Sequence, residues 1–235
     1  MVSFPTLVVS ALSILATSVS ATSGCRCGDS AYLAIPRVNL SIFDQQAEHG
    51  PKLTLFFTAE LIDARGSGEP QAVSLMFQDV LSRLLSNSSS TVSESITYPA
   101  GFDQNVTSGV QETVSSIKSS LQQCPDQKFH LFGYSQGATL VQSALQELEG
   151  DKKAMDAIRS VVVVGNPYRI PGREANVDSH GHHDNRTVYG LFATQALEQH
   201  ANASFPTFST ALDRSGKISD ICLEDLIFER VVCKL

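Results

Sequence analysis

Basic charge is scarce in this sequence. Its 235 residues carry 17 Lys and Arg against 24 Asp and Glu, a formal charge of −7. That balance argues against nucleic acid as a partner, which asks for a basic patch. Long apolar runs are scarce as well. Past the first 21 residues none reaches the ~18 residues of a transmembrane helix, so no membrane span is expected. There are five cysteines, Cys25, Cys27, Cys124, Cys222 and Cys233. Five is odd, so at least one thiol is left over or pairs elsewhere. Cys25 and Cys27 have no second cluster with which to form a zinc site, and no metal or other cofactor is expected. Internal repeats and a second domain are both missing. No histidine lies beyond His200.

What is present fits one exported domain. Hydrophobic residues make up 42% of the chain and charged residues 17%, enough apolar material for a real core. Residues 1–21 read as a secretory signal: Leu7 to Ala16 is an apolar stretch, and Val19-Ser20-Ala21 ends in small residues suited to cleavage. Five N-x-S/T sequons begin at Asn39, Asn87, Asn105, Asn185 and Asn202, as surface acceptors in a secreted chain would. The cysteines suit disulfides in an oxidising compartment. The chain is expected to be secreted and extracellular.

Apolar runs alternate with helical patterns. Leu53 to Ala64 reads as a strand, ending at Arg65-Gly66-Ser67-Gly68-Glu69-Pro70. Gln71 to Leu85 has helical spacing, with Val73, Met76, Phe77, Val80, Leu84 and Leu85 in phase. Val92 to Tyr98 is a short strand, and Val106 to Leu121 a helix whose apolar face is Val110, Val114, Ile117 and Leu121. Phe129 to Tyr134 is apolar, Ala138 to Leu148 helical, and a short helix is expected over Lys152 to Ile158. Val161 to Val164 is an unbroken β-branched run, suited to a central parallel strand covered on both faces. Tyr168 to Lys217 is loop-like. Strands alternating with helices predict an α/β fold: a parallel sheet between two helical layers. Ligands in such sheets sit at the carboxyl ends of strands. Ser67, Ser135 and Asn166 all follow predicted strand ends.

Gly133-Tyr134-Ser135-Gln136-Gly137 stands between a predicted strand and helix, the context of a nucleophile elbow. The glycines sit where side chains would block the turn. A serine hydroxyl needs a base to take its proton and an acid to orient that base. It also needs donors for the charge that develops on the attacked carbonyl. The backbone N–H of Gln136 is one such donor in an elbow.

Gly-Tyr-Ser-Gln-Gly-Ala at 133–138, Ala64-Arg65-Gly66-Ser67-Gly68-Glu69 upstream of it, and Cys124-Pro125 together resemble the fungal cutinase family, which includes cutinases and related acetylxylan esterases. The resemblance covers about residues 59–228. It implies a lidless three-layer α/β/α hydrolase fold with a central parallel sheet, and hydrolysis of carboxylic esters through an acyl-enzyme. It implies Ser135 as nucleophile and Ser67 with Gln136 as the oxyanion hole. Cys222-Leu223-Glu224-Asp225-Leu226-Ile227-Phe228 is the counterpart of the family's Cys-x-x-Gly-Asp-x-x-Cys, one residue short, with Phe228 in place of the second cysteine. Asp225 is thus the implied acid, with Asp220 as its rival. The implied partner is an ester substrate in cutin or acetylated cell-wall polysaccharide, taken by a monomer that uses neither nucleic acid nor membrane.

The chain also departs from the pattern. The family's catalytic histidine follows its aspartate, whereas this sequence ends at Leu235 with no histidine after Asp225. That role is therefore not carried over. His180, His182 and His183 form the one cluster; it reads as a polar surface loop, and a base supplied from that loop would run against the fold's geometry. His130 reads as a packed residue on its strand. Thr58 stands where the family has a cysteine that pairs with the counterpart of Cys124, and residues 28–57 look like an insertion. The expected organisation is a signal over 1–21, an irregular segment over 22–58 and a hydrolase domain over 59–235 that stops short at its C-terminus. Two functions are in view: an esterase, or an impaired relative acting as a secreted binding protein.

Overall fold

The computed structural model describes residues 59–88, 90–193, 196–197 and 205–223, and the backbone of 233–234. The expected signal and the 22–58 segment lie outside the described residues. In chain order the elements are β1 (Ala59–Ala64), α1 (Gln78–Ser86), β2 (Thr91–Ser95), α2 (Thr107–Gln123), β3 (Lys128–Tyr134), α3 (Gln136–Leu148), α4 (Lys152–Ala157), β4 (Ile158–Val164), β5 (Asn176–Val177), β6 (Tyr189–Gly190), α5 (Thr210–Asp213), β7 (Ile218–Ile221) and β8 (Cys233–Lys234). Six strands form one sheet in the order β2-β1-β3-β4-β7-β5, every pair parallel. β6 and β8 make a small antiparallel ribbon. All carboxyl ends of the large sheet therefore open on one edge.

The strand residues divide by alternation. Ile62, Phe129, Leu131, Val161 and Val163 pack with Val110, Ile117 and Leu121 of α2, Leu140, Val141 and Leu145 of α3, and Ala154 and Ala157 of α4. Leu61, Phe132, Val162 and Val164 pack on the other side with Leu81 of α1 and with Phe77. A strand residue and its neighbour point to opposite faces. The four valines are apolar throughout because both faces are covered. This is the expected three-layer α/β/α architecture. Among the described residues no helix is long and apolar enough to cross a membrane.

Two expected elements are shorter than their patterns. The helix anticipated from Gln71 begins at Gln78. Ahead of it, the Ser74 N–H donates to the Asp63 carboxylate at 2.7 Å and the Leu75 N–H to that of Glu69 at 2.9 Å. Side chains thus take the donors of this turn, and the helix starts after them. β2 ends at Ser95, and the carbonyls of Ile96 and Tyr98 instead accept from the buried Arg65 guanidinium. The loop-like stretch after Tyr168 also contains β5, β6 and α5.

Candidate active site

Ser67 and Ser135 stand 68 positions apart in sequence. The sheet removes that separation. β1 and β3 are neighbours, with Ala64 opposite Gly133, so the Arg65-Gly66-Ser67 loop leaves the sheet beside Tyr134-Ser135. The two glycines of the pentapeptide permit this. A Cβ on Gly137 would lie 1.9 Å from the Ala64 carbonyl oxygen, and one on Gly133 would lie 2.6 Å from the Gly137 carbonyl oxygen. α3 can press against the end of β1, and β3 can turn tightly into α3, only where no side chain intervenes.

Ser135 occupies the apex with φ 52° and ψ −115°, and its hydroxyl does not cap α3. A serine before a helix ordinarily spends its oxygen on capping; this one is left half-exposed and available. Its N–H is fixed by the Val164 carbonyl at 2.9 Å, which anchors the turn to β4. Among the described residues three non-glycine residues have positive φ, namely Ala100, Gln104 and Ser135. All three border this site. Such conformations cost of order 1–3 kcal/mol each and concentrate where function requires them.

A chain of side-chain hydrogen bonds runs to Gln136, the residue after Ser135. Gln104 Nε2 donates to Ser67 Oγ at 3.0 Å, and Ser67 Oγ donates to Gln136 Oε1 at 3.4 Å. Gln136 Nε2 donates to the Gly101 carbonyl at 2.9 Å, closing the circuit through the 101–104 segment. The Gln136 side chain is fully buried, so its orientation is set. The Ser67 proton has only a long bond to Gln136, whereas its oxygen is held firmly by Gln104. The hydroxyl is placed, yet its hydrogen is free to turn to a stronger acceptor.

Behind Ser67 the loop is braced from below. Arg65 donates through Nε to the Glu69 carbonyl at 2.9 Å, and its guanidinium stacks 4.8 Å from the centre of the Tyr98 ring. The Tyr98 hydroxyl donates back to the Arg65 carbonyl. The Glu69 carboxylate accepts from the Gly66 N–H at 2.5 Å and from the Ser74 hydroxyl at 3.0 Å. The Gly68 N–H donates to the Ala100 carbonyl at 2.8 Å. Phe102, 84% exposed, lies over Gly68 and forms the rim.

The sequence-predicted residues divide into those that meet and those that do not. Ser135, Ser67 and Gln136 come together. Asp225 lies outside the described residues. Its rival Asp220 is committed elsewhere: buried at the end of β7, it pairs with Arg169 at 3.0 Å and accepts from Asn166 Nδ2 at 2.6 Å. Burial pushes its carboxyl up, with Arg169 and Asn166 opposing. Arg169 also pairs with Asp184 at 2.7 Å, so its charge is shared between two buried carboxylates.

The described histidines stand apart from the elbow. His130 is five residues back along β3, about 16 Å at ordinary strand rise. It bonds to Ser160 Oγ at 2.7 Å, and burial, helped by the charge of Arg159, lowers its pKa to about 4. The packed-residue reading suits it. His182, 78% exposed, lies 3.5 Å from Asp178 in the loop after β5. That loop follows β5, which lies three strands from β3 in the sheet. Among the described residues no cluster of His, Cys, Asp and Glu could hold a metal ion.

Sequence reasoning missed Gln104, Phe102 and the part that Tyr98 plays in bracing Arg65. Nothing in their local pattern marks them, because their roles depend on a loop from a different strand.

A family model for cutinase matches residues 57–225. A cutinase of Hypocrea jecorina is 36% identical over 112 residues, covering 45% of this chain and 44% of that protein. The match thus spans less than half the length of this curated relative. A solved cutinase-like protein from Cryptococcus sp. aligns with a TM-score of 0.62 at 31% identity, over 71% of this chain and 76% of that one. The catalytic core domain of acetyl xylan esterase from Trichoderma reesei aligns with a TM-score of 0.54 over 71% and 82%, at 23% identity, a likeness of fold alone. With an α/β-hydrolase-like fold and a family match over most of its length, the chain belongs to the cutinase family.

Proposed function

We propose that this protein is a secreted serine esterase that hydrolyses carboxylic esters through an acyl-enzyme. One observation carries the reading: the strained Ser135 turn and the Ser67 loop leave neighbouring strands at one sheet edge, where Ser67 bonds to Gln136, the residue after Ser135. Ser135 Oγ forms a bond to the ester carbonyl carbon as its proton passes to a base. The carbonyl oxygen takes up negative charge and is held by the Gln136 N–H at the start of α3 and by the Ser67 hydroxyl. The C–O bond to the alcohol then breaks, and the alcohol leaves with that proton. Water attacks the acyl-serine by the same steps and releases the acid. Asp225 is the acid that orients the base, and among the described residues no histidine hydrogen-bonds to Ser135.

Cutin and acetylated cell-wall polysaccharide are the substrate classes proposed, with the protein acting as a monomer. The relatives support this: two of them are called cutinase and acetyl xylan esterase. Export is supported by the signal-like apolar stretch from Leu7 to Ala16 and by the five N-x-S/T sequons, both features of secreted chains.

The test is p-nitrophenyl butyrate hydrolysis by the 235-residue chain and by Ser135→Ala. A wild-type rate well above that of Ser135→Ala supports the esterase; equal rates reject it. A second reading, a binding protein on the same fold, draws on the histidine contacts: His130 bonds to Ser160, and the His182 ring lies 3.5 Å from Asp178. Added imidazole separates the two. A wild-type rate that climbs with imidazole and is absent in Ser135→Ala indicates an intact nucleophile and oxyanion hole. A flat response with tight polymer binding favours the second reading.

A further inference from the structure

Three of the five sequons fall among the described residues, and Asn87, Asn105 and Asn185 are all exposed. They differ in place. Asn87 ends α1 and is its C-cap. Asn185 follows Asp184 in the loop beyond β5. Asn105 directly follows Gln104, the residue that holds Ser67, so its Cα stands about 3.8 Å from that of Gln104. Three residues before it is Phe102, the exposed aromatic over Gly68. Asn105 Oδ1 accepts from the Thr107 N–H at 3.1 Å, which leaves the Nδ2 amide, the atom that carries a glycan, to solvent.

We propose that Asn105 carries an N-linked glycan that stands at the rim of the site, on its Ser67 side, and screens Phe102 from flat polymer surfaces. A sugar chain here is bulky and strongly hydrated. The segment that bears it is also rigid. Gly101 and Gln104 are tied to Gln136 and Ser67, and α2 begins at Thr107, so the glycan has a fixed root. A small soluble ester can pass beneath it. An extended hydrophobic surface would have to displace it to reach Phe102. The inference rests on the secreted-esterase reading and narrows it: the favoured substrates are soluble or chain-end esters rather than intact polyester films.

The experiment expresses the full chain in a yeast secretory host, maps glycopeptides from the medium, and compares wild type with Asn105→Gln and Thr107→Ala. The expected result is a glycan on Asn105 whose mass is lost in both variants. Both variants should then adsorb severalfold more tightly to polyester particles, while hydrolysis of p-nitrophenyl butyrate stays at the wild-type level. A bare Asn105 beside an occupied Asn87 or Asn185 overturns the inference and leaves the esterase reading standing. Adsorption that is unchanged in both variants, or changed in only one, also overturns it, because the sugar is what the two variants lose together. A chain retained inside the cell without sugar overturns both this inference and export.

Discussion

At Ser67 the hydroxyl is useful only if it points at the oxygen that becomes charged. Gln104 supplies that aim from a strained position, φ 59°, by donating to Ser67 Oγ. Ser67→Ala removes a donor made for the transition state, and kcat should fall by about 10²–10³-fold with KM little changed. Gln104→Ala leaves the hydroxyl in place but lets it turn, so the expected loss in kcat is smaller, about tenfold. Gln104→Asn, which keeps a shorter amide, should recover part of it. Equal kinetics for Gln104→Ala and wild type on p-nitrophenyl butyrate would remove the positioning role.

At the scale of elements, the junction of β1, β3 and α3 depends on the missing Cβ of Gly137. Gly137→Ala places a methyl 1.9 Å from the Ala64 carbonyl oxygen, and backbone must move to admit it. Secreted yield and Tm should both drop sharply. Gly150→Ala, where nothing lies within 4 Å, is the matched control and should stay within about 0.5 kcal/mol of wild type. A second junction is ionic. Arg169 joins the loop after β4 to Asp220 on β7 and to Asp184. Arg169→Ala leaves the buried Asp220 without its cation and should cost about 3–5 kcal/mol in urea unfolding. Arg186 remains on Asp184 at 2.9 Å, which places the loss toward the lower end.

Across the whole molecule, buried carboxyls set the pH dependence of stability. Burial pushes Asp63 from 3.8 up to about 7, with the Ser74 N–H opposing and Glu69 adding to the rise. Its Oδ1 is buried without a hydrogen-bond partner, which suits a protonated acid. Burial, with the Glu94 carboxyl beside it, likewise raises Glu60 to about 7. A folded pKa above the unfolded one means stability that is full below pH 4 and is lost as pH rises toward 7. For Asp63 the upper bound of that loss is roughly 4 kcal/mol. Asp184 runs the other way. Burial would raise it, but the hydrogen bonds from Arg186 and the charges of Arg169 and Arg186 hold it low, so its contribution is lost in stronger acid. Thermal unfolding should therefore show the highest Tm near pH 4–5, declining toward pH 8. Asp63→Asn should flatten much of that decline; an unchanged slope would assign it to other groups.

The order of strands and helices from β1 to β4 was legible in the sequence because hydrophobic period and length are local properties, whereas β5, β6, α5 and β7 are too short to leave a period. The four valines predicted a strand covered on both sides, and each face of that strand packs as the period requires. Ser135 was legible for the same reason: a strand, a tight turn and a helix are written in consecutive residues. The resemblance put Asp225 ahead of Asp220, both in the unpatterned stretch from Ile218 to Leu235; the burial of Asp220 against Arg169 commits that rival elsewhere, while Asp225 lies outside the described residues. Gln104 and the Arg65–Tyr98 brace were invisible, because a hydrogen bond between residues more than thirty positions apart leaves no trace in either segment. The chain's own pattern determined which elements form. The parallel pairing of β1 with β3 decided which loops meet, because strand neighbours are chosen by packing across the whole sheet.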